Sequence, residues 1–128
     1  MSRNPAKSNS ALAAAPAAGG DAARASVGRP RPLQALDPIL QHRSRLGAIV
    51  LLSQTSDLTF SRLKGLLGET DGNLGAQLRK LEDAGYVSVD KQFADRKPVS
   101  WYALTQAGRK ALKAHLRAME DVIRMANG

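Results

Sequence analysis

From residue 37 onward the apolar positions fall into helical stripes separated by one short alternating stretch. Asp37-Pro38 starts the first helix: aspartate accepts from free amides, and proline takes the first position, where its missing N–H costs nothing. Apolar residues at Ile39, Leu46, Ile49, Val50 and Leu52, divided by the polar run Gln41 to Arg45, predict a helix over 38–53 with an interruption near Ser44 left open. Thr59 caps a short helix, 60–67, whose Phe60, Leu63, Leu66 and Leu67 recur at i, i+3, i+6 and i+7. Gly68-Glu69 makes the turn, and Thr70 or Asp71 caps a third helix over 71–84. Its Leu74, Leu78 and Leu81 share one buried face, and Gly85 stops it in the position after the last helical turn.

Tyr86 to Val89 then reads as a strand, and Trp101 to Leu104 closes a hairpin across a loop at 93–98. Thr105 caps a long last helix, from Gln106 to about Ala126. Its apolar face carries Leu112, His115, Leu116, Met119, Val122, Ile123 and Ala126. The fold class is therefore mainly α with a small β-hairpin. Two helices joined by a short glycine-containing turn make a helix-turn-helix. A helix followed at once by a charged hairpin is the order in which a winged helix presents a recognition helix and a wing to DNA.

Composition changes this picture mainly at the N-terminus. Residues 1–33 are rich in alanine, proline and arginine, with Ala11 to Ala18 nearly all alanine and Arg-Pro-Arg-Pro at 29–32. Such a segment buries too little apolar surface to offset its ordering entropy, so it reads as a disordered basic arm preceding a domain over 34–128. Its Arg, Ser and Ala content also resembles an organellar transit peptide. No compact apolar region follows a basic start as in a secretory signal, and no apolar run approaches membrane-spanning length, so the expected location is cytoplasmic. The chain has no cysteine, which excludes disulfides, thiolate metal sites and a cysteine nucleophile. A net charge of +8 points to an anionic partner, with nucleic acid first.

Candidate binding residues follow from the faces of the third helix. Gly72, Ala76, Arg79 and Asp83 lie opposite the leucines, and Asn73, Gln77 and Lys80 line one flank. Asn73 and Gln77 each offer an amide donor and acceptor, the chemistry that reads adenine or holds a phosphate. Arg96 and Lys97 at the hairpin tip suit a minor groove or backbone phosphates. Arg43, Arg45, Arg62 and Lys64 sit on the preceding helices, where backbone contacts are plausible. The expected DNA-binding set is Asn73, Ala76, Gln77, Arg79, Lys80, Arg96 and Lys97. Phe93, Trp101 and Tyr102 read as wing packing. His115 reads as a core or interface histidine rather than a metal ligand, since His42 is the only other histidine. The last helix has a longer apolar stripe than so small a domain covers. A second copy of the chain would cover it, through Leu112, Leu116, Met119, Val122 and Ile123.

Four segments together carry a family resemblance: Leu36-Asp37-Pro38, Thr70-Asp71-Gly72-Asn73-Leu74, Leu78 to Val87, and Leu104-Thr105-Gln106-Ala107-Gly108. With these, the chain resembles small bacterial winged-helix transcriptional regulators related to the MarR and ArsR types, over about residues 36–120. The resemblance implies a homodimer through terminal helices, a recognition helix at 71–84 and an arginine-bearing wing. Two departures stand out: Gly75-Ala76-Gln77-Leu78 replaces the usual Ser-x-His-Leu, and Asp95 replaces the glycine that usually precedes the wing arginine.

The function expected is a sequence-specific, double-stranded-DNA-binding transcriptional regulator acting as a homodimer, with the wing at about 90–100 on flanking DNA. The alternatives are a winged-helix protein–protein interaction module and a nonspecific nucleic-acid binder using the basic tail. No nucleophile elbow, phosphate-cradling glycine loop or paired catalytic carboxylates are present, so neither an enzyme nor a cofactor is expected. The sequence leaves a small-molecule effector undecided.

Overall fold

The computed structural model describes residues 31–128. The tail expected over 1–33 therefore lies almost wholly outside the described residues; its last three residues begin a five-residue helix, Arg31–Ala35. Leu36–Gly128 forms a separate unit. It runs as a 3-10 turn Pro38–Leu40, helix α1 (Arg43–Ser53), strand β1 (Leu58–Thr59), helices α2 (Phe60–Leu67) and α3 (Asp71–Asp83), strands β2 (Val87–Ala94) and β3 (Lys97–Leu104), and helix α4 (Gln106–Asn127). No helix among the described residues is long and apolar enough to cross a membrane.

Local chemistry sets most of these boundaries. Thr59, Thr70 and Thr105 each accept from the amide three residues on, Arg62 at 3.1 Å, Asn73 at 3.2 Å and Gly108 at 3.0 Å. Gly85, at φ 80°, ends α3 with a double closure: its amide reaches the Glu82 carbonyl and the Tyr86 amide reaches Leu81, both at 2.9 Å. The single helix expected over 38–53 is broken at Gln41-His42. There the Asp37 carboxylate caps only the 3-10 turn, through the Ile39 amide at 2.9 Å. A fresh start follows, with His42 Nδ1 accepting from the Ser44 amide at 3.1 Å.

The core is built from Leu40, Ile49, Leu52, Leu63, Leu74, Leu78 and Leu81, all fully buried or nearly so, and Val87 and Leu112 close it from the hairpin base and α4. Leu112 therefore packs inside its own domain, not on an outer stripe. Asp37 ties three elements together. Its amide donates to His115 Nδ1 on α4 at 2.9 Å, while its carboxylate accepts from the Ile39 amide and from the Tyr86 hydroxyl at the hairpin base. That bond requires His115 to offer Nδ1 as an acceptor, and the imidazole lies buried on the inner side of α4 as a core group.

The hairpin is longer than the sequence pattern predicts. β2 and β3 pair without interruption from Val87↔Leu104 to Ala94↔Lys97, and only Asp95 and Arg96 form the turn, at φ 52° and 66°. A two-residue turn with both residues left-handed matches the natural strand twist, so the ladder runs on through the stretch expected to be a loop at 93–98. β1 adds to the free side of β3 through Leu58↔Tyr102 and Thr59↔Trp101, giving the order β1-β3-β2. Trp101 and Tyr102 are half-buried, but Phe93 is 78% exposed and packs no wing core.

Candidate nucleic-acid interface

Helix α3 is fixed by its leucines against the core, which turns its other side outward. Gly72, Asn73, Ala76, Arg79, Lys80 and Asp83 are all exposed. Neither the Arg79 nor the Lys80 side chain has a hydrogen bond or ion pair among the described residues. Two cations and one amide are thus presented on a rigid helix, a geometry that can meet phosphates and base edges together.

Gln77 departs from the expected flank. It is buried, and its Oε1 accepts from Arg45 Nη1 at 2.6 Å, while Arg45 Nε donates to the Ile39 carbonyl at 2.7 Å. Gln77 lies three residues after Leu74 and four before Leu81, so the helical period already puts it on the inward side. Its polarity is met by Arg45, and both side chains serve to lock α3 onto α1. Lys64 is likewise engaged, with Asp71 at 3.0 Å across the helix-turn-helix corner. Both partners are well exposed, so this pair adds little stability. Arg43 and Arg62 remain exposed without an ion pair among the described residues.

The corner between α2 and α3 holds a group the sequence pattern does not single out. Glu69 accepts through Oε2 from the Ser44 hydroxyl on α1 and through Oε1 from Asn73 Nδ2. These two hydrogen bonds, Ser44 first, hold its carboxyl below the usual glutamate range, and the charges of Arg43 and His42 act the same way. The only sequence signal was Glu69's place just before a helix cap.

At the other end of the surface, Arg96 and Lys97 are exposed at the hairpin turn, free of ion pairs among the described residues, with Asp95 beside them. On α4 the expected stripe divides. Gly108, Leu112, His115 and Ala118 face the domain. Leu116 is 41% exposed and Ile123 57%, and Met119 and Val122 are half-buried between these two sides.

Residues 44–123 match the model of the winged helix DNA-binding domain family. The chain is 33% identical over 72 residues to an uncharacterized protein of Methanocaldococcus jannaschii, covering 56% of this chain and 78% of that one. Its fold superposes on a transcriptional regulator homologue from Pyrococcus horikoshii with a TM-score of 0.65 at 32% identity, over 70% of this chain and 89% of the other. A zinc-responsive MarR family member from Lactococcus lactis gives a TM-score of 0.53 at 16% identity, over 73% and 63% of the two chains. A three-helix core, a long hairpin wing and a capped terminal helix, found together with that match, place the chain in the winged helix DNA-binding domain family, with the fold of MarR-like transcriptional regulators.

Proposed function

We propose that this DNA-binding transcriptional regulator acts as a homodimer on specific double-stranded sites in the cytoplasm. α3 enters the major groove through Asn73, Ala76, Arg79 and Lys80, and the wing places Arg96 and Lys97 on flanking DNA. The observation that carries this reading is the pair of unengaged cations beside Asn73 on the outer face of α3, while nearby Arg45 and Lys64 are held by intrachain partners. The exposed Leu116 and Ile123 support pairing through α4, because apolar side chains repeated along one helix face favour association. Two-fold pairing presents two α3 helices to half-sites about 34–36 Å apart, which gives a helix with few base-reading groups a longer recognition sequence.

Selection from a randomised duplex library tests the reading directly, and an enriched palindrome is the expected result. Binding without enrichment would leave a nonspecific nucleic-acid binder, and no binding at moderate salt would leave a protein-interaction module.

A further inference from the structure

Phe93 is the most exposed large apolar side chain among the described residues, and it stands near the end of the ladder that carries the wing outward. Cross-strand partners share one face of a ladder, so Val87↔Leu104, Val89↔Tyr102, Lys91↔Ser100 and Phe93↔Pro98 form a single side of the hairpin. At its base that side belongs to the core, through Val87, Leu104 and Tyr102. It also meets α3 there: burial, then the charge of Glu82, raise the Tyr102 phenol, and the charge of Arg79 opposes them. At the far end Phe93 and Pro98 face each other and both are exposed, so the tip carries an apolar pair rather than one stray side chain. The other side of the ladder is acidic, with Asp57 and Asp90 around a shallow hollow over Trp101. Register thus sorts charge across the wing, placing Lys91 with Phe93 and the two aspartates behind. Asp95 occupies the turn, where Arg96 and Lys97 outweigh it.

Resting on the DNA-binding reading above, we propose that Phe93 is a specificity-determining wedge, which enters the minor groove beside Arg96, partly unstacks one base step and bends the duplex. The groove offers sugar and base edges to the phenyl ring, and the phosphates on its rims meet Lys91, Arg96 and Lys97. An apolar side chain driven between base steps kinks DNA by about 20–90°. The cost of that kink depends on the step and is least at the pyrimidine–purine steps TA and CA/TG. Phe93 therefore selects sequence through deformability, without a hydrogen bond to any base. Because the ring is exposed in the free protein, its burial is gained only on binding.

The experiment compares the full chain with its Phe93→Ala and Phe93→Leu variants on a duplex enriched from a randomised library. Phe93 supports no core, so both variants should melt with the wild type, and any loss reports binding. Anisotropy gives affinity, energy transfer between the duplex ends gives the bend, and 2-aminopurine fluorescence at the step under the wing gives unstacking. The wild type should bend the duplex, brighten the probe and enrich TA or CA/TG at the flanking positions. Phe93→Ala should bind roughly tenfold more weakly, with an unchanged salt slope because no charge is lost. It should also leave the duplex straighter and erase the flanking preference, while the part of the motif under α3 stays. Phe93→Leu, still a wedge, should keep most of the bend. A wild type that leaves the duplex straight and the probe stacked overturns the proposal, as does Phe93→Ala with wild-type bend and affinity. A Phe93→Ala variant that sediments at half the wild-type mass overturns it too, by assigning the ring to a contact between copies. No binding of any duplex by the wild type overturns the DNA-binding reading itself, which separates the two failures.

Discussion

Gly108 lies where the first turn of α4 meets the base of the hairpin, and alanine there should break that joint. A Cβ at Gly108 would sit 2.7 Å from Leu104 Cδ1 and 3.0 Å from the Tyr86 carbonyl carbon, and closer still to the Tyr86 carbonyl oxygen. Ordinary carbon contacts lie at about 3.5–4.0 Å, so α4 and the hairpin base have to part by about 1 Å. The Leu104 methyl can swing aside, but the Tyr86 carbonyl is held by the Thr105 amide at 3.0 Å. The neighbouring bond from Thr105 Oγ1 to the Gly85 carbonyl, at 2.6 Å, is strained by the same movement. Overpacking costs about 1–3 kcal/mol, and weakening these two bonds adds about 1 kcal/mol each at most. Against this, alanine gains about 1 kcal/mol of helix propensity over glycine. The terms sum to a net loss of about 0–4 kcal/mol, centred near 2, a fall in melting temperature on the order of 10 °C for a domain of this size. Gly75 in α3 is the control: a Cβ there meets nothing within 4 Å, so Gly75→Ala should raise the stability by up to about 1 kcal/mol and the melting temperature with it. Thermal unfolding followed by circular dichroism reads both. If Gly108→Ala melts at or above the wild-type temperature, the close approach of α4 to Tyr86 does not limit this fold.

Three other outcomes follow from the same structure. Burial first, then the hydrogen bond and charge of Asp37, push the Tyr86 phenol well above its ordinary value. Because the folded state raises it, its contribution is complete below about pH 10 and is lost as pH rises beyond that. In urea midpoints, Tyr86→Phe should lose about 1 kcal/mol near neutral pH and show a flatter alkaline decline, and parallel curves for the two proteins would contradict this. Arg96→Ala should weaken specific and random DNA alike and reduce the slope of log K against log salt by about one unit, whereas an unchanged slope removes Arg96 from the phosphate contacts. Leu116→Glu with Ile123→Glu alters only exposed positions of α4, so sedimentation should show a folded monomer, and a variant that still sediments as a dimer places the interface elsewhere.

Elements defined by local chemistry were legible in the chain itself. The threonine caps at 59, 70 and 105 and the Gly85 stop depend on neighbours within a few residues, and each stands where the pattern puts it. The outer wing was not legible, because its strands are held by cross-strand pairing rather than burial. Asp90, Lys91 and Gln92 on one strand face Trp101, Ser100 and Val99 on the other, and they show no alternation to read. β1 is two residues long and exists only because β3 offers it an edge. At the candidate interface, the outward face of α3 followed from helical period alone. Gln77 and Leu112 were misplaced for opposite reasons. The polarity of Gln77 concealed an inward position that Arg45 makes tolerable, and the stripe on α4 is wide enough to serve its own core and the solvent side at once. Glu69 could not be weighed before Ser44, distant in sequence, was seen beside it.

Among the described residues, the sheet order β1-β3-β2 leaves β2 unpaired on its outer edge, exposed over most of its length beyond the buried Val87, and β3 is likewise unpaired toward the tip, beyond its short pairing with β1. An unpaired edge is a template on which another strand can add, and Val-Ser-Val at the start of β2 and Phe93 near its end have the side chains such an addition favours. Between them stand Asp90 and Lys91, which place opposite charges in the middle of the strand. An incoming copy in register would set like against like there, so these two residues act as gatekeepers for a wing that must stay single while projecting from the domain. The same length that lets the wing reach outward leaves an edge that these two mid-strand charges help to guard, and replacing Asp90 and Lys91 with threonine should raise the tendency of the hairpin to aggregate edge to edge.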